Sequence, residues 1–337
     1  MTTLVTGGGG FLGRAIVERL LDRGDCVRVF ARGDYPWVAE RGGELVRGDL
    51  KDRSAVNAAC GGVGVVHHVA AVPGVWGPRE FYFDNNVLGT RNLLEASRDA
   101  GVQKFVFTSS PSVVFDGSDH VEADESLPYP EKYLCHYPET KALAERDVLA
   151  ANGAGGLATT ALRPHLIFGP RDPHLIPRVI ARAKAGRLRR VGDGTNVVSV
   201  SYVENVAQAH LQAADRLMPG APHAGKAYFI NEPEPVVLWE WVDELLTTAG
   251  LAPRRRARSV AAAEPLGAVL EGVCGVLPGR PEPPMTRFVA LQLGKSHSYS
   301  VAAAGRDFGY EPVVPFDEAM RRLKPWLQAW GAGRDEP

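Results

Sequence analysis

Cysteine is scarce, with four in 337 residues, at positions 26, 60, 135 and 274, and no two in a Cys-x-x-Cys pair. That spacing excludes a disulfide framework and, with no histidine cluster at ligand spacing, a structural zinc. A reducing cytoplasm is the expected compartment. An excess of one charge is also lacking: 38 basic residues face 39 acidic ones, a net charge of -1. Nothing there would hold a phosphate backbone, so nucleic acid is not an expected partner. Long apolar runs are missing too. The segment from Pro265 to Leu277 carries Glu271 and is too short for a bilayer, which takes about twenty apolar residues. The chain opens on a strand-like Thr3-Leu4-Val5, with no basic region and apolar stretch before it, so no signal peptide is expected.

What is present suits a large core, at 45% hydrophobic and 23% charged. Short β-rich runs (Leu4-Val5, Val27 to Phe30, Val63 to Val69, Lys104 to Thr108, Thr159 to Leu162) alternate with helical ones (Phe11 to Arg23, Asn86 to Ala100, Tyr137 to Ala151). Such alternation predicts an α/β fold, a Rossmann-type doubly wound parallel sheet with helices on both faces. After Pro164, prolines at 170, 173 and 177 loosen the pattern, and a smaller, interleaved substrate lobe is expected. The division is residues 1–165 for the dinucleotide domain, with a returning segment near 191–216, and 166–330 mainly for substrate. Val197 to Val203 is expected to rejoin the sheet before a helix from Asn205 to Arg216, and Gly331 to Pro337 reads as a tail.

Gly7, Gly10 and Gly13 stand at Gly-x-x-Gly-x-x-Gly spacing between the first strand and the first helix, with Phe11 and Leu12 opening that helix. Glycines there let backbone approach a pyrophosphate and let helix pack on strand, while the helix N-terminus offers N–H groups to the charge. At the end of the second strand an NAD site would carry an acid for the ribose 2′-hydroxyl. Ala31 leaves that place empty, and Arg32 can pair with a 2′-phosphate. NADP(H) is therefore favoured, with Asp34 keeping NAD(H) open. Asp49, with Leu50, follows another short strand and can accept from the adenine amino group; a turn or helix cap at Asp49 or Asp52 is the equal alternative. Ala70 and Ala71 end a strand with side chains small enough for backbone to lie along the cofactor. Alternation puts His67 and His68 on opposite faces, where packing is the expected role.

Tyr137 and Lys141 stand at i and i+4, on one face of a helix. A phenol near pKa 10 is a sluggish acid at neutral pH, and an ammonium beside it lowers that pKa. Lysine can also hold ribose hydroxyls. The preceding strand ends in Thr108-Ser109-Ser110-Pro111-Ser112. Hydroxyls at the carboxyl end of a strand face the ligand crevice of an open α/β sheet, where one can donate to a carbonyl oxygen gaining charge. Ser110 is the first choice and Ser112 the alternate.

These residues resemble the extended short-chain dehydrogenases, and within them the branch of 3β-hydroxysteroid dehydrogenases and decarboxylating sterol-4-carboxylate dehydrogenases. Thr6 to Gly13, Asn85 to Thr90, Thr108 to Phe115, Tyr137 to Lys141, Leu162-Arg163-Pro164 with Gly169-Pro170, and Arg306 to Pro312 carry the likeness over nearly the whole chain. Arg32 to Pro36, Trp76-Gly77, Arg189 to Asn196 and Gly225 to Ile230 are most similar to bacterial 2-alkyl-3-oxoalkanoate reductases, NADPH-dependent enzymes of long-chain olefin biosynthesis. The resemblance implies Tyr137 as general acid, Lys141 as ribose and pKa partner, Ser110 as oxyanion donor, Asn86 as a backbone-orienting or relay residue, and Pro164 as a wall of the nicotinamide pocket. Two departures stand out: His165 after Pro164, and Pro111 after Ser110.

The expected activity is therefore interconversion of a ketone and a secondary alcohol on a small apolar substrate, a 2-alkyl-3-oxo acid being the leading case. A steroid or sterol alcohol, a nucleotide-sugar epimerase or dehydratase, and a non-catalytic dinucleotide-binding protein are the alternatives. A homodimer is the expected assembly. Pro265 to Leu277 reads as the roof of an apolar pocket, a core helix, or a membrane-surface or docking helix, and Arg254-Arg255-Arg256 with Arg258 as a solvated edge.

Overall fold

The computed structural model describes residues 1–253 and 256–332; Arg254, Arg255 and the end of the tail lie outside it. Seven parallel strands form the central sheet: β1 (Thr2–Thr6), β2 (Cys26–Ala31), β3 (Glu44–Arg47), β4 (Val63–His68), β5 (Lys104–Thr108), β6 (Ala158–Pro164) and β7 (Ala227–Ile230). Their order is β7-β6-β5-β4-β1-β2-β3. Chain direction across the sheet reverses between β1 and β4, and ligands of such sheets bind in the crevice beyond the carboxyl ends at that point. Helices cover both faces, as an all-parallel sheet requires. On one face α1 (Phe11–Asp22) packs against the helix Val203–Arg216; on the other lie the helix Gly89–Asp99 and α2 (His136–Ala150). β4 and β6 are buried along their whole length.

The run from Val197 to Val203 does not rejoin this sheet. It splits into Val197–Val198, paired with Val236–Val237 and His297, and Ser201–Tyr202, paired with Ile167–Phe168. Its serines explain the split: Ser199 Oγ accepts from Tyr299 N, and Ser201 Oγ accepts from His165 N while donating to Ile230 O. Polar side chains thus tie this run to several neighbours and leave no continuous ladder. The strand that does return is β7, four residues of Ala-Tyr-Phe-Ile, beside β6.

The helix predicted from Asn86 begins earlier, at Arg79, and passes through a π-helical turn, Phe83–Leu88, before Gly89. Such turns gather at functional sites.

Candidate active site

β1 delivers the glycine loop to the crevice. Gly7 has φ +68, and a Cβ there would stand 2.8 Å from the Ala70 Cα; at Gly13 a Cβ would stand 2.1 Å from the Gly7 carbonyl oxygen. Only glycine lets this loop touch both the segment after β4 and the first turn of α1. Gly10 precedes α1 without a side-chain cap, so the first N–H groups of that helix have no side-chain acceptor.

Beneath the loop runs a buried column of hydrogen bonds. Thr90 Oγ1 donates to Asn86 O at 2.6 Å and lies 2.8 Å from His68 Nε2. It therefore accepts from Nε2–H, and His68 Nδ1 accepts from Thr6 Oγ1 at 2.7 Å. Burial, with Lys141 adding to it, pulls the His68 pKa down to about 3, so the ring is a neutral strut at ordinary pH. His67, on the other face, packs edge-on to His210.

A cavity of about 520 Å³ opens above this column. The glycine loop with Phe11 and Leu12 forms its floor, Arg32, Asp49 and Leu50 one end, and Ala70 and Ala71 a side; Ser110, Tyr137, Lys141 and Pro164 close the other end. Asp34 is exposed and not among the lining residues. Asp49 also accepts from Lys51 N at 2.9 Å, so it makes a turn as well as a wall, and Asp52 caps the following helix.

At the end of β5, Ser110 caps a single 3-10 turn, Pro111–Val114. Proline suits the first position of such a turn, where no N–H is needed, so Pro111 leaves Ser110 at the cavity. Ser112 lies behind it, donating its N–H at 3.2 Å and its hydroxyl at 3.0 Å to Ser110 Oγ. With those two bonds accepted, the Ser110 proton is free to be donated outward. Tyr137 is half-buried in the first turn of α2. Burial pushes its phenol up to about 12 against the opposing pull of Ser110.

Lys141 is buried one turn on. Its Nζ donates to Thr108 O at 2.5 Å and lies 4.0 Å from the centre of the Phe107 ring. Burial pulls its pKa down to about 7, with Glu145 opposing. Glu145 in turn is gripped by Arg163 through two bonds of 2.9 and 2.6 Å and by the Tyr129 hydroxyl at 2.6 Å. Burial would raise the Glu145 carboxyl, but Arg163 outweighs it and holds it below the usual range.

Asn86 is not brought to the cavity. Its Oδ1 accepts from Val72 N at 2.8 Å, and its Nδ2 donates to Val72 O and Thr140 Oγ1, both at 3.2 Å. It thus ties the Ala71–Pro73 wall to the helix between Tyr137 and Lys141, which is the backbone-orienting role and not the relay; the π-turn puts Asn85 on the cavity. Sequence reading also missed Tyr35, which lies over the glycine loop where a Cβ on Gly9 would meet its ring at 2.1 Å. Asp172, at the cavity wall, accepts from three backbone N–H groups of the helix start at 174–176. Tyr35 stood in a quoted motif; Asp172 carried no signal beyond a proline-rich turn. A second cavity, of about 1240 Å³, is lined by Trp76, Tyr82, Cys135, His136 and Glu271, among others.

Residues 4–259 match the model of the 3-beta hydroxysteroid dehydrogenase/isomerase family. Over 327 residues the chain is 48% identical to a 2-alkyl-3-oxoalkanoate reductase of Stenotrophomonas maltophilia, covering 96% of this chain and 98% of that one. It is 38% identical over 325 residues to the decarboxylating sterol-4-alpha-carboxylate 3-dehydrogenase of Mus musculus, covering 94% and 88%. Among solved structures, MoeE5 in complex with UDP-glucose and NAD superposes with a TM-score of 0.73 at 27% identity, covering 98% and 99%. On this match and these identities, the chain belongs to the 3-beta hydroxysteroid dehydrogenase/isomerase family, among the extended short-chain dehydrogenases.

Proposed function

We propose that the chain is a nicotinamide-dependent oxidoreductase that interconverts a ketone and a secondary alcohol on an apolar substrate, with NADPH-dependent reduction of a 2-alkyl-3-oxo acid as its reaction. The observation that carries this reading is the meeting of Ser110, Tyr137 and Lys141 at one end of the cavity floored by the glycine loop. The relative from Stenotrophomonas maltophilia, at nearly full coverage, supports the substrate class.

The residues present fit a dinucleotide: the cradle at Gly7 would be filled by a Cβ, and the start of α1 lacks a side-chain cap. Backbone N–H groups of the loop and α1 would take the pyrophosphate. Arg32 would take the 2′-phosphate, Asp49 and Leu50 the adenine end, Lys141 the ribose hydroxyls and Pro164 the nicotinamide face. When bound, the cofactor supplies hydride to the carbonyl carbon. Ser110 donates to the carbonyl oxygen as charge builds there, and Tyr137 passes it a proton. The Lys141 ammonium favours the phenolate left behind. Residues 1–165 then hold the cofactor and 166–330 mainly shape the substrate side.

Because the ammonium form of Lys141 exists below a pKa of about 7 and is lost above it, kcat/KM for reduction should fall as pH rises through that value, since this parameter reports the free enzyme. A profile flat through neutrality would remove Lys141 from the proton chemistry. NADPH is favoured because Arg32 lines the cavity, whereas Asp34 does not. Arg32→Ala should weaken NADPH by about tenfold to a hundredfold, the worth of a charge-assisted bond, and NADH little, as read by fluorescence titration; equal losses would overturn the preference. All four cysteines are free, which suits a reducing cytoplasm. A homodimer is the assembly we expect, and sedimentation velocity tests it.

The reading itself is tested by following reduced-nicotinamide absorbance with 2-alkyl-3-oxo acids, 3-ketosteroids and UDP-sugars. Consumption with an oxo acid supports it. A sugar product formed with no net consumption would replace it with an epimerase.

A further inference from the structure

His165, unexpected after Pro164, is buried, and so is His297, 132 residues further on. Their ring centres stand 4.7 Å apart, with His165 Nε2 2.6 Å from His297 Nδ1. His297 Nε2 lies 2.7 Å from Gln292 O. A carbonyl only accepts, so the His297 proton is on Nε2, its Nδ1 accepts, and His165 donates from Nε2. Burial pulls the His297 pKa down to about 4 and that of His165 well below its ordinary value. Both rings are therefore neutral at ordinary pH, and the chain from His165 through His297 to Gln292 runs in one direction. Neither ring is among the residues lining the cofactor cavity.

The next residue, Leu166, does line that cavity, beside Pro164 and Ile167. It has φ +42, a left-handed backbone that glycine adopts freely and a leucine rarely does. Such strain persists only where the surroundings fix it, and here they fix it on both sides. Before Leu166, Ser201 Oγ accepts from His165 N at 3.1 Å, and His297 holds the His165 ring. After it, Ile167–Phe168 is laddered to Ser201–Tyr202. The His297 ring also meets Phe115 edge-on, 6.0 Å between centres, and Phe115 ends the 3-10 turn that Ser110 caps. One buried imidazole thus braces both the turn behind Ser110 and the wall that continues from Pro164.

We propose that His165 and His297 are positioning residues whose hydrogen bond holds Leu166 in its left-handed conformation, so that Leu166 and Pro164 together confine the nicotinamide ring at the end closed by Ser110 and Tyr137. The proposal rests on the nicotinamide reading of the cavity. Glycine would meet this backbone without strain; leucine adds a branched side chain at the wall. Hydride transfer is sensitive to placement, a shift of about 1 Å costing on the order of a hundredfold. The glycine loop, Arg32 and Asp49 lie elsewhere on the cavity and would go on holding the rest of the dinucleotide. Losing the histidine bond should therefore free the nicotinamide ring while leaving overall affinity nearly intact, a split that general loss of stability would not produce.

The test compares the full chain with His165→Leu, Leu166→Ala, their double variant and His165→Gln. Titration with reduced dinucleotide, read by fluorescence, should give dissociation constants within about threefold of wild type for all four. The emission anisotropy of the bound nicotinamide should fall in His165→Leu and in Leu166→Ala; this readout needs no substrate. Single-turnover hydride transfer should slow by about tenfold to a hundredfold in each. The double variant should be within about threefold of the slower single one, because both changes remove the same constraint. His165→Gln, whose side-chain N–H can replace the Nε2 donor, should recover most of the loss. Wild-type anisotropy in Leu166→Ala, or multiplying losses in the double variant, overturns the proposal. Leu166→Ala changes neither histidine and so decides the matter if His165→Leu does not fold. A wild-type chain that binds no reduced dinucleotide would overturn the nicotinamide reading and the proposal with it; binding with unaltered variants overturns the proposal alone.

Discussion

Tyr137→Phe should lower turnover by about a thousandfold or more, toward the upper end of what a positioned general acid contributes, while the reduced nicotinamide cofactor still binds. The change removes one oxygen and keeps the ring. The cradle at Gly7, the start of α1 and the Lys141 bond to Thr108 O involve no atom of that hydroxyl, so cofactor affinity should hold. What is lost, on the proposed reaction, is the proton donor beside Ser110. In the free protein burial pushes the phenol up to about 12, and each unit by which bound cofactor and substrate bring it down would be worth about 1.4 kcal/mol. The measurement is single-turnover reduction alongside cofactor titration. Turnover within a factor of a few of the wild type would take Tyr137 out of the mechanism.

Glu145→Ala should cost about 3–5 kcal/mol of stability, the range for stripping one partner from a buried ion pair. Glu145 is fully buried and Arg163 is 5% exposed; without the carboxylate, the guanidinium and the Tyr129 hydroxyl would face no acceptor there. The same carboxylate raises the pKa of Lys141. Whatever folded protein remains should therefore lose activity at a lower pH than the wild type, a shift that packing damage alone would not produce. Replacing both partners with apolar residues, Glu145→Leu and Arg163→Met, should recover much of the stability but leave the pH shift. Chemical denaturation measures the first effect and the pH profile the second. A loss under about 1 kcal/mol for Glu145→Ala would mean that water reaches the pair.

The parallel sheet was legible in the sequence because its strands are nearly continuous apolar runs between helical patterns, and the glycine loop because the close approaches at Gly7 and Gly13 admit only one residue type. Tyr137, Lys141 and Ser110 were legible through spacing and strand position. Three features were not, or only in part. The Val197 to Val203 run has strand propensity, yet Ser199 and Ser201 bond across several neighbours; side-chain competition for backbone groups depends on tertiary partners that spacing does not reveal. Asn86 was placed by analogy, and of the two roles so implied its amide takes the backbone-orienting one, bonded to Val72 and Thr140. The Glu145–Arg163 pair joins residues eighteen apart on a helix and a strand, and charged residues in sequence give no sign of being buried.

The π-turn at Phe83–Leu88 has a mechanical consequence. One residue more than an α-turn needs is stored there, and one residue of α-helix corresponds to a rotation of about 100°. The Arg79–Tyr82 turn and the Gly89–Asp99 helix thus keep their phase about a nearly common axis, because the surplus residue is taken up in the wide turn between them. The first can point Tyr82 at the larger cavity while the second keeps Thr90 under His68. Deleting a single residue within the turn would relax it to an ordinary helix with the flanking turns still in phase, leaving the Arg79–Glu139 bond in place and re-aiming only the residues of the wide turn, Asn85 at the cavity among them. Loss or gain of one residue at this point is a way for the stretch of cavity wall at Asn85 to be re-aimed at differently shaped molecules while the turns on either side stay in phase.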